Sequence, residues 1–238
     1  MTVDGGGYFK QLPLFAGISE ESIGRLESHA EFHSFPRGAV IQKQGAIPTA
    51  LPVLLEGAVQ LLGGVRTQRP VVVDIVRAVD VLHLAPVLSA TPAPTTLQVV
   101  DPAATALIPR AAVHKSVSAD PHLAYRLLTL LGSQYEALVA QVKDLKARTA
   151  SQRLASYLVE LAEDRGTRVV RLPFDKRLLA SRLGMTPESF SRALSTLREY
   201  GVETRSSEVS FRDFEQLRRY SLPDGWEWEE DREGEIGD

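Results

Sequence analysis

Thr186-Pro187-Glu188-Ser189-Phe190-Ser191-Arg192 carries the signals of a helix start. A threonine hydroxyl can accept the free N–H groups of a first turn, and a proline at the first helical position costs no hydrogen bond. Apolar Phe190, Ala193, Leu194 and Leu197 then recur at helical spacing, so the helix is expected to run to Gly201. Upstream, Asp175 to Leu183 carries Leu178, Leu179, Ala180 and Leu183 and reads as a shorter helix with one buried face. Gly184 can take the positive φ that ends one helix and turns the chain toward the next, and small Ala180 lets the two approach closely. Short helix, glycine turn and capped second helix, in that order, predict a helix-turn-helix.

With its apolar residues turned inward, the second helix presents Glu188, Ser191, Arg192 and Ser195 on its outer face. These types suit base edges: arginine bonds guanine in bidentate fashion, a carboxylate accepts from the cytosine amino group, and serine serves either role. Lys176, Arg177, Arg182, Thr186, Ser189 and Ser195 are expected to meet the phosphate backbone, which a helix N-terminus and nearby cations favour. An ordinary helical hairpin with solvated charges is the plainer alternative.

The run Arg171-Leu172-Pro173-Phe174-Asp175-Lys176 through Arg198, with Glu188-x-x-Ser191-Arg192 inside it, resembles the C-terminal domain of the Crp-Fnr regulators, the Fnr and Dnr branches above all. The resemblance implies that Glu188, Ser191 and Arg192 read bases in half-sites of the TTGAT type. Val202 to Phe211, with polar Ser206-Ser207 at its centre, is then the two-stranded wing.

The N-terminal half reads as short strands punctuated by turns. Phe32–Phe35, Ala39–Gln42, Leu51–Leu55, Ala58–Leu62, Val71–Val76, Leu97–Val100 and Ala104–Ile108 are strand-length, with Pro36-Arg37-Gly38, Gly45, Gly57 and Gly63-Gly64 between them. Gly38-x-x-Ile41-x-x-x-Gly45 followed by Leu54-x-x-Gly57-x-Val59 resembles the glycine skeleton of the Crp-Fnr sensor domain, a β-roll of the cyclic-nucleotide-binding type. Between the halves, His122 to Lys146 reads as one long helix on which Leu127, Leu131, Leu138, Val142 and Leu145 form a seam near the 3.5-residue period of paired helices. That seam predicts a homodimer, whose two reading helices one DNA turn apart, about 34 Å, would read a palindrome. A helix packed only on its own domain is the alternative.

The expected fold is therefore α+β: a β-roll sensor domain over 1–117, a dimerisation helix over 118–147, a winged helix-turn-helix domain over 148–220 and an acidic, disordered tail over 221–238. Charge follows this division. The 238 residues carry a net −3, yet residues 143–220 hold 16 Lys and Arg against 11 Asp and Glu, a net +5, and residues 221–238 hold one against eight, a net −7.

The resemblance also frames the effector. Cyclic-nucleotide-binding members use a Gly-Glu pair for the ribose and an Arg-Ser or Arg-Thr pair for the cyclic phosphate; Leu82 and His83 stand in the first place here, and Pro94 where the arginine would be. A buried phosphate without its arginine keeps an uncompensated charge, so cyclic AMP is not expected. The chain has no cysteine, which excludes an iron–sulfur cluster held by thiolates. His83 lies in the apolar run Val81-Leu82-His83-Leu84-Ala85-Pro86-Val87-Leu88, and with Ala90-Thr91 beyond it this resembles the haem-ligating segment of the carbon-monoxide-sensing branch. In that branch an N-terminal proline supplies the opposite ligand, and Met1-Thr2-Val3 lacks it. Haem ligated by His83, sensing carbon monoxide or nitric oxide, therefore stands beside three alternatives: a core histidine bonded to the backbone, a small apolar or aromatic ligand, and no ligand at all.

No phosphate-cradling G-x-x-x-x-G-K-[ST], nucleophile elbow G-x-S-x-G or zinc motif H-E-x-x-H is present, so an enzyme is not expected. The sequence has no apolar run of membrane-spanning length, and a cytoplasmic protein is expected. The expected partners are double-stranded DNA, a second copy of the chain and RNA polymerase, with no membrane; a protein-interaction module without DNA binding is the reading from another class.

Overall fold

The computed structural model describes residues 9–11, 15, 17–64 and 70–223. The chain start Met1-Thr2-Val3 and the acidic tail from Asp224 onward lie outside them. Two compact units divide between Ala137 and Leu138, inside one long helix.

The N-terminal unit holds α1 (Glu20–Glu27), β1 (Glu31–Phe35), β2 (Val40–Gln42), β3 (Ala50–Gly63), β4 (Val71–Arg77), β5 (Asp80–Val81), α2 (Leu84–Ser89), β6 (Thr96–Pro109), α3 (Arg110–Ala119) and the first part of α4 (Pro121–Ala147). Its antiparallel strands run in the order β1-β6-β3-β4, with β2 also on β6 and β5 on β3. β3 and β6 pair from Ala50 opposite Pro109 to Leu62 opposite Thr96 and form the spine of the unit.

Here the structure corrects the strand reading. Leu51–Leu55 and Ala58–Leu62 are one strand, and so are Leu97–Val100 and Ala104–Ile108. Gly57 lies in a bulged stretch, not in a turn, with φ of +84° and the register shifting on both sides of it. A Cβ there would lie 2.2 Å from the Pro102 carbonyl oxygen, so only glycine lets β6 come this close. Just before Gly57, where β3 takes two residues from Leu54 to Glu56 while β6 takes one from Thr105 to Ala104, an extra residue exchanges the faces of β3. Leu51, Val53 and Leu55 pack with Ile23, Leu26, Val113 and Leu123, whereas Leu54 packs with Val59, Leu82, Leu97 and Val99. Without a bulge, Leu54 and Val59 would point to opposite sides.

The C-terminal unit continues α4 and adds α5 (Ala150–Arg165), β7 (Val169–Arg171), α6 (Lys176–Arg182), α7 (Pro187–Thr196), a 3-10 turn over Leu197–Tyr200, β8 (Val202–Arg205), β9 (Glu208–Phe211) and α8 (Phe214–Ser221). Leu154, Leu158, Leu179, Phe190, Leu197, Val209 and Leu217 form its core. The predicted wing hairpin is present as β8 and β9, joined through Ser206 in the left-handed conformation, and β7 adds a third strand on β9. Three residues of Val-Val-Arg are too few for alternation to announce a strand. α8 ends at Ser221, one residue past the expected domain boundary.

Helix α4 has two apolar faces. Leu127 is 4% exposed and sits with Leu123 in the core of the N-terminal unit, with Leu131 packed against that core. Outside it, Tyr125, Leu128, Tyr135, Val139 and Val142 are exposed and, with Gly132 among them, repeat at alternating intervals of three and four. Leu138 and Leu145 are exposed beside them. The seam read from the sequence therefore mixed the two faces: Leu127 and Leu131 serve the chain's own core, and the outward stripe is offset by about one residue.

Candidate nucleic-acid interface

Helix α7 is built from its caps. Asp175 accepts from the Leu178 N–H at 2.9 Å and starts α6. Gly184, with φ of +65°, ends it, and the Met185 N–H returns to the Ala180 carbonyl at 2.9 Å. Thr186 caps α7 by accepting from the Ser189 N–H at 3.2 Å, with Pro187 in the first turn.

Arg153 on α5 braces this turn. Its Nε donates to the Leu183 carbonyl at 3.0 Å and Nη1 to the Arg148 carbonyl at 2.9 Å. Burial pulls its pKa below the ordinary arginine value, against the pull of Asp144. Sequence reasoning missed this residue: a lone arginine on an amphipathic helix looks like any solvated cation.

Phe190, Ala193, Leu194 and Leu197 are buried, and Glu188, Ser191, Arg192 and Ser195 are exposed. Arg192 lies along its own helix, donating from Nη2 to Ser189 Oγ at 3.0 Å. Ser191 and Ser195 donate to the Pro187 and Ser191 carbonyls at 3.0 and 3.1 Å. In this resting arrangement their oxygens keep lone pairs for an incoming donor. The Glu188 carboxyl is held below the usual carboxylate range, first by its own backbone N–H, then by Thr186, with Arg192 and Arg177 contributing. An ionised Glu188 only accepts hydrogen bonds, as recognition of a cytosine amino group requires.

Lys176 and Arg177 are exposed at the start of α6, whereas Arg182 is half-buried with its guanidinium 5.7 Å from the Tyr157 ring centre. Across the wing, Arg198, Arg205 and Arg212 line a cavity of about 370 Å³ with Gly201, Val202, Glu203 and Thr204. The sequence had given none of these three arginines a role.

Residues 152–220 match the Crp-like helix-turn-helix domain, and residues 32–120 match the cyclic nucleotide-binding domain. A solved regulatory protein of Silicibacter pomeroyi DSS-3, named for cAMP binding, is 33% identical with a TM-score of 0.57, over 85% of this chain and 91% of that one. The chain belongs to the Crp-Fnr family of transcription regulators. Among curated relatives of this Crp-Fnr chain, the nitrogen fixation regulation protein FixK of Azorhizobium caulinodans is 31% identical over 120 residues. That alignment takes in 47% of this chain and 48% of FixK, so the chain spans about half the length of that curated relative. FixK2 from Bradyrhizobium japonicum shares the fold, with a TM-score of 0.71 at 19% identity over 81% of this chain and 98% of that one.

In the cyclic nucleotide-binding-type domain of this Crp-Fnr chain, His83 precedes α2 with φ of +52°. Its Nε2 lies 2.9 Å from Thr95 Oγ1, and Thr95 is itself buried. Burial lowers the His83 pKa to about 4, so the ring is neutral near pH 7. Its Nδ1 is buried, with no hydrogen-bond partner among the described residues. Leu82, Leu84 and Val87 are in the core, at 3%, 1% and 0% exposure, and Pro94 is exposed. Among the described residues no group of three His, Asp or Glu could hold a metal ion, and no helix is long and apolar enough to cross a membrane.

Proposed function

We propose that this Crp-Fnr regulator acts in the cytoplasm as a homodimer on a palindrome of TTGAT-type half-sites, with Glu188, Ser191 and Arg192 reading bases and RNA polymerase as a partner. One observation carries the reading: the three side chains share the exposed face of a helix whose start is capped by Thr186 and braced by Arg153. Lys176, Arg177, Thr186, Ser189 and Ser195 are positioned for phosphates, and Arg182 joins them by leaving Tyr157. The dimer would close over the outward stripe of α4, Leu128, Tyr135, Val139 and Val142, with Leu138 and Leu145 at its margin; large apolar residues at coiled-coil spacing have no reason to face water otherwise.

The effector is not a cyclic nucleotide on this reading, although a 33% identical relative is named for cAMP. The ribose and phosphate positions hold buried Leu82, His83 and exposed Pro94, which offer neither carboxylate nor guanidinium. Haem fits no better. The His83 ring is neutral, as an iron ligand must be, yet its Nε2 faces Thr95, its Nδ1 is buried, and the surrounding leucines are committed to the core. A small apolar ligand, or no ligand, remains consistent with the sensor domain.

The test is binding of Arg192→Ala to the matched palindrome and to operators changed at one base pair per half-site. The variant is expected to lose ~1–3 kcal/mol on the matched site and to discriminate less at that base pair, with two chains bound per palindrome. Wild-type affinity and discrimination in the variant would sink the assignment of the reading face.

A further inference from the structure

The wing of the C-terminal unit carries a groove lined by arginines, and the same chain carries a strongly acidic run of sequence. Arg198, Arg205 and Arg212 are exposed around the wing cavity. Arg212 is paired with Glu203, but among the described residues no carboxylate pairs with Arg198 or Arg205. Three guanidiniums converging on one hollow form a seat for a chain of anionic groups, and the DNA backbone is one such chain.

The segment that begins at Asp224 is another. Residues 224–238 hold Asp224, Glu227, Glu229, Glu230, Asp231, Glu233, Glu235 and Asp238 against the single Arg232. Its point of departure is fixed. Arg148 Nε donates to the Ser221 carbonyl at 2.8 Å, Gln152 Nε2 donates to the Leu222 carbonyl at 3.0 Å, and Tyr220 stacks on Tyr200 with ring centres 3.8 Å apart. Tyr200 immediately precedes Gly201, which lines the cavity. Fifteen residues reach about 50 Å when extended, and a unit of this size has a radius of gyration of about 12 Å, so the segment can reach any face of it.

We infer that residues 224–238 dock on the Arg198–Arg205–Arg212 groove in the absence of DNA and compete with the DNA backbone for it. This rests on the DNA-binding reading above and adds an internal competitor to it. Tethering gives the segment an effective concentration on the order of 1 mM, so an intrinsic affinity of only ~0.1 mM would occupy the groove and weaken DNA binding about tenfold. Because the contact is ionic and exposed, it fades with salt.

The chain's two tryptophans, Trp226 and Trp228, both lie in this segment, so its environment can be read directly. Tryptophan emission of the full chain is expected to be blue-shifted relative to a free 224–238 peptide, and to move to the peptide's value on adding palindromic DNA or 0.5 M salt. Arg198→Ser with Arg205→Ser should abolish the blue shift without DNA. In parallel, a chain ending at Pro223 should bind DNA about tenfold more tightly than the full chain at 50 mM salt and equally at high salt. Emission equal to the free peptide from the outset, or equal DNA affinities at low salt, would overturn the docking. Should neither chain bind DNA while the emission shift persists, docking stands and the DNA-binding reading falls.

Discussion

In the C-terminal unit the polar side chains at helix starts serve as caps and the chemically versatile residues stay exposed, whereas in the N-terminal unit the stretch that would hold an effector is folded into the core. Thr149, Asp175 and Thr186 each satisfy an orphan N–H, and Glu188 and Arg192 are left to face outward. Leu82 and Leu84 are buried on either side of His83, which turns to Thr95. One unit displays a polar face to solvent, and the other commits the corresponding stretch to packing. The alternation of buried and exposed residues marks the two faces of α7 within a few positions, while the burial of Leu82 and Leu84 depends on partners elsewhere in the N-terminal unit.

The N-terminal unit is most vulnerable at Gly57. An alanine there would take a φ of +84° and press its Cβ to within 2.2 Å of the Pro102 carbonyl. Left-handed strain and the displacement of β6 together should cost about 3–4 kcal/mol. Chemical denaturation followed by probes in each unit is expected to show the loss in the N-terminal unit, with the helix-turn-helix unit unfolding as in the wild type. An equal loss in both units would mean that they do not fold separately.

Gly57 also marks the limit of what the sequence made legible. Turn glycine and bulge glycine look alike, because each needs only a positive φ; the partner carbonyl that decides between them is 45 residues away on Pro102. The same holds for α4, where two apolar faces share one spacing and only the fold shows that Leu127 packs inward while Leu128 faces out. Helix α7 was legible because its signals are local. Thr186, Pro187 and Gly184 act within a turn or two of themselves, and the alternation of Phe190 with Ser191 and Arg192 separates the faces without reference to anything distant. Arg153 was not legible, since its role lies in the Leu183 carbonyl that it reaches.

In the C-terminal unit the expected effect is smaller and falls on the cap at Thr186, which Thr186→Ala removes. Losing the hydroxyl that accepts from the Ser189 N–H should destabilise the C-terminal unit by ~1 kcal/mol, and Thr186→Ser should restore most of it. Thermal unfolding of the three proteins measures this. If stability stays unchanged while DNA affinity falls, Thr186 acts on phosphate and not as a cap, which would move it from scaffold to contact surface.

The smallest expected effect tests whether His83 is scaffold. Its pKa of about 4 in the folded chain lies below the ordinary value near 6.5, with burial as the cause. The unfolded chain therefore binds the proton more readily, so the stability that the neutral ring contributes is complete above pH 6.5. It declines as the pH falls toward 4 and is gone below that. With the partial exposure of the ring taken into account, the loss across this window should be about 1 kcal/mol. Asp80, whose carboxyl is raised mainly by burial, acts in the opposite sense, gaining stability as acid protonates it. Comparison with His83→Asn separates the two, because asparagine tolerates the left-handed backbone at this position and does not titrate. The wild type should lose stability relative to the variant between pH 6.5 and 4 and run parallel to it on either side. Parallel curves throughout would mean that the ring is open to protons in solution, and His83 would then be available to an effector, as its apolar surroundings in the sequence first implied.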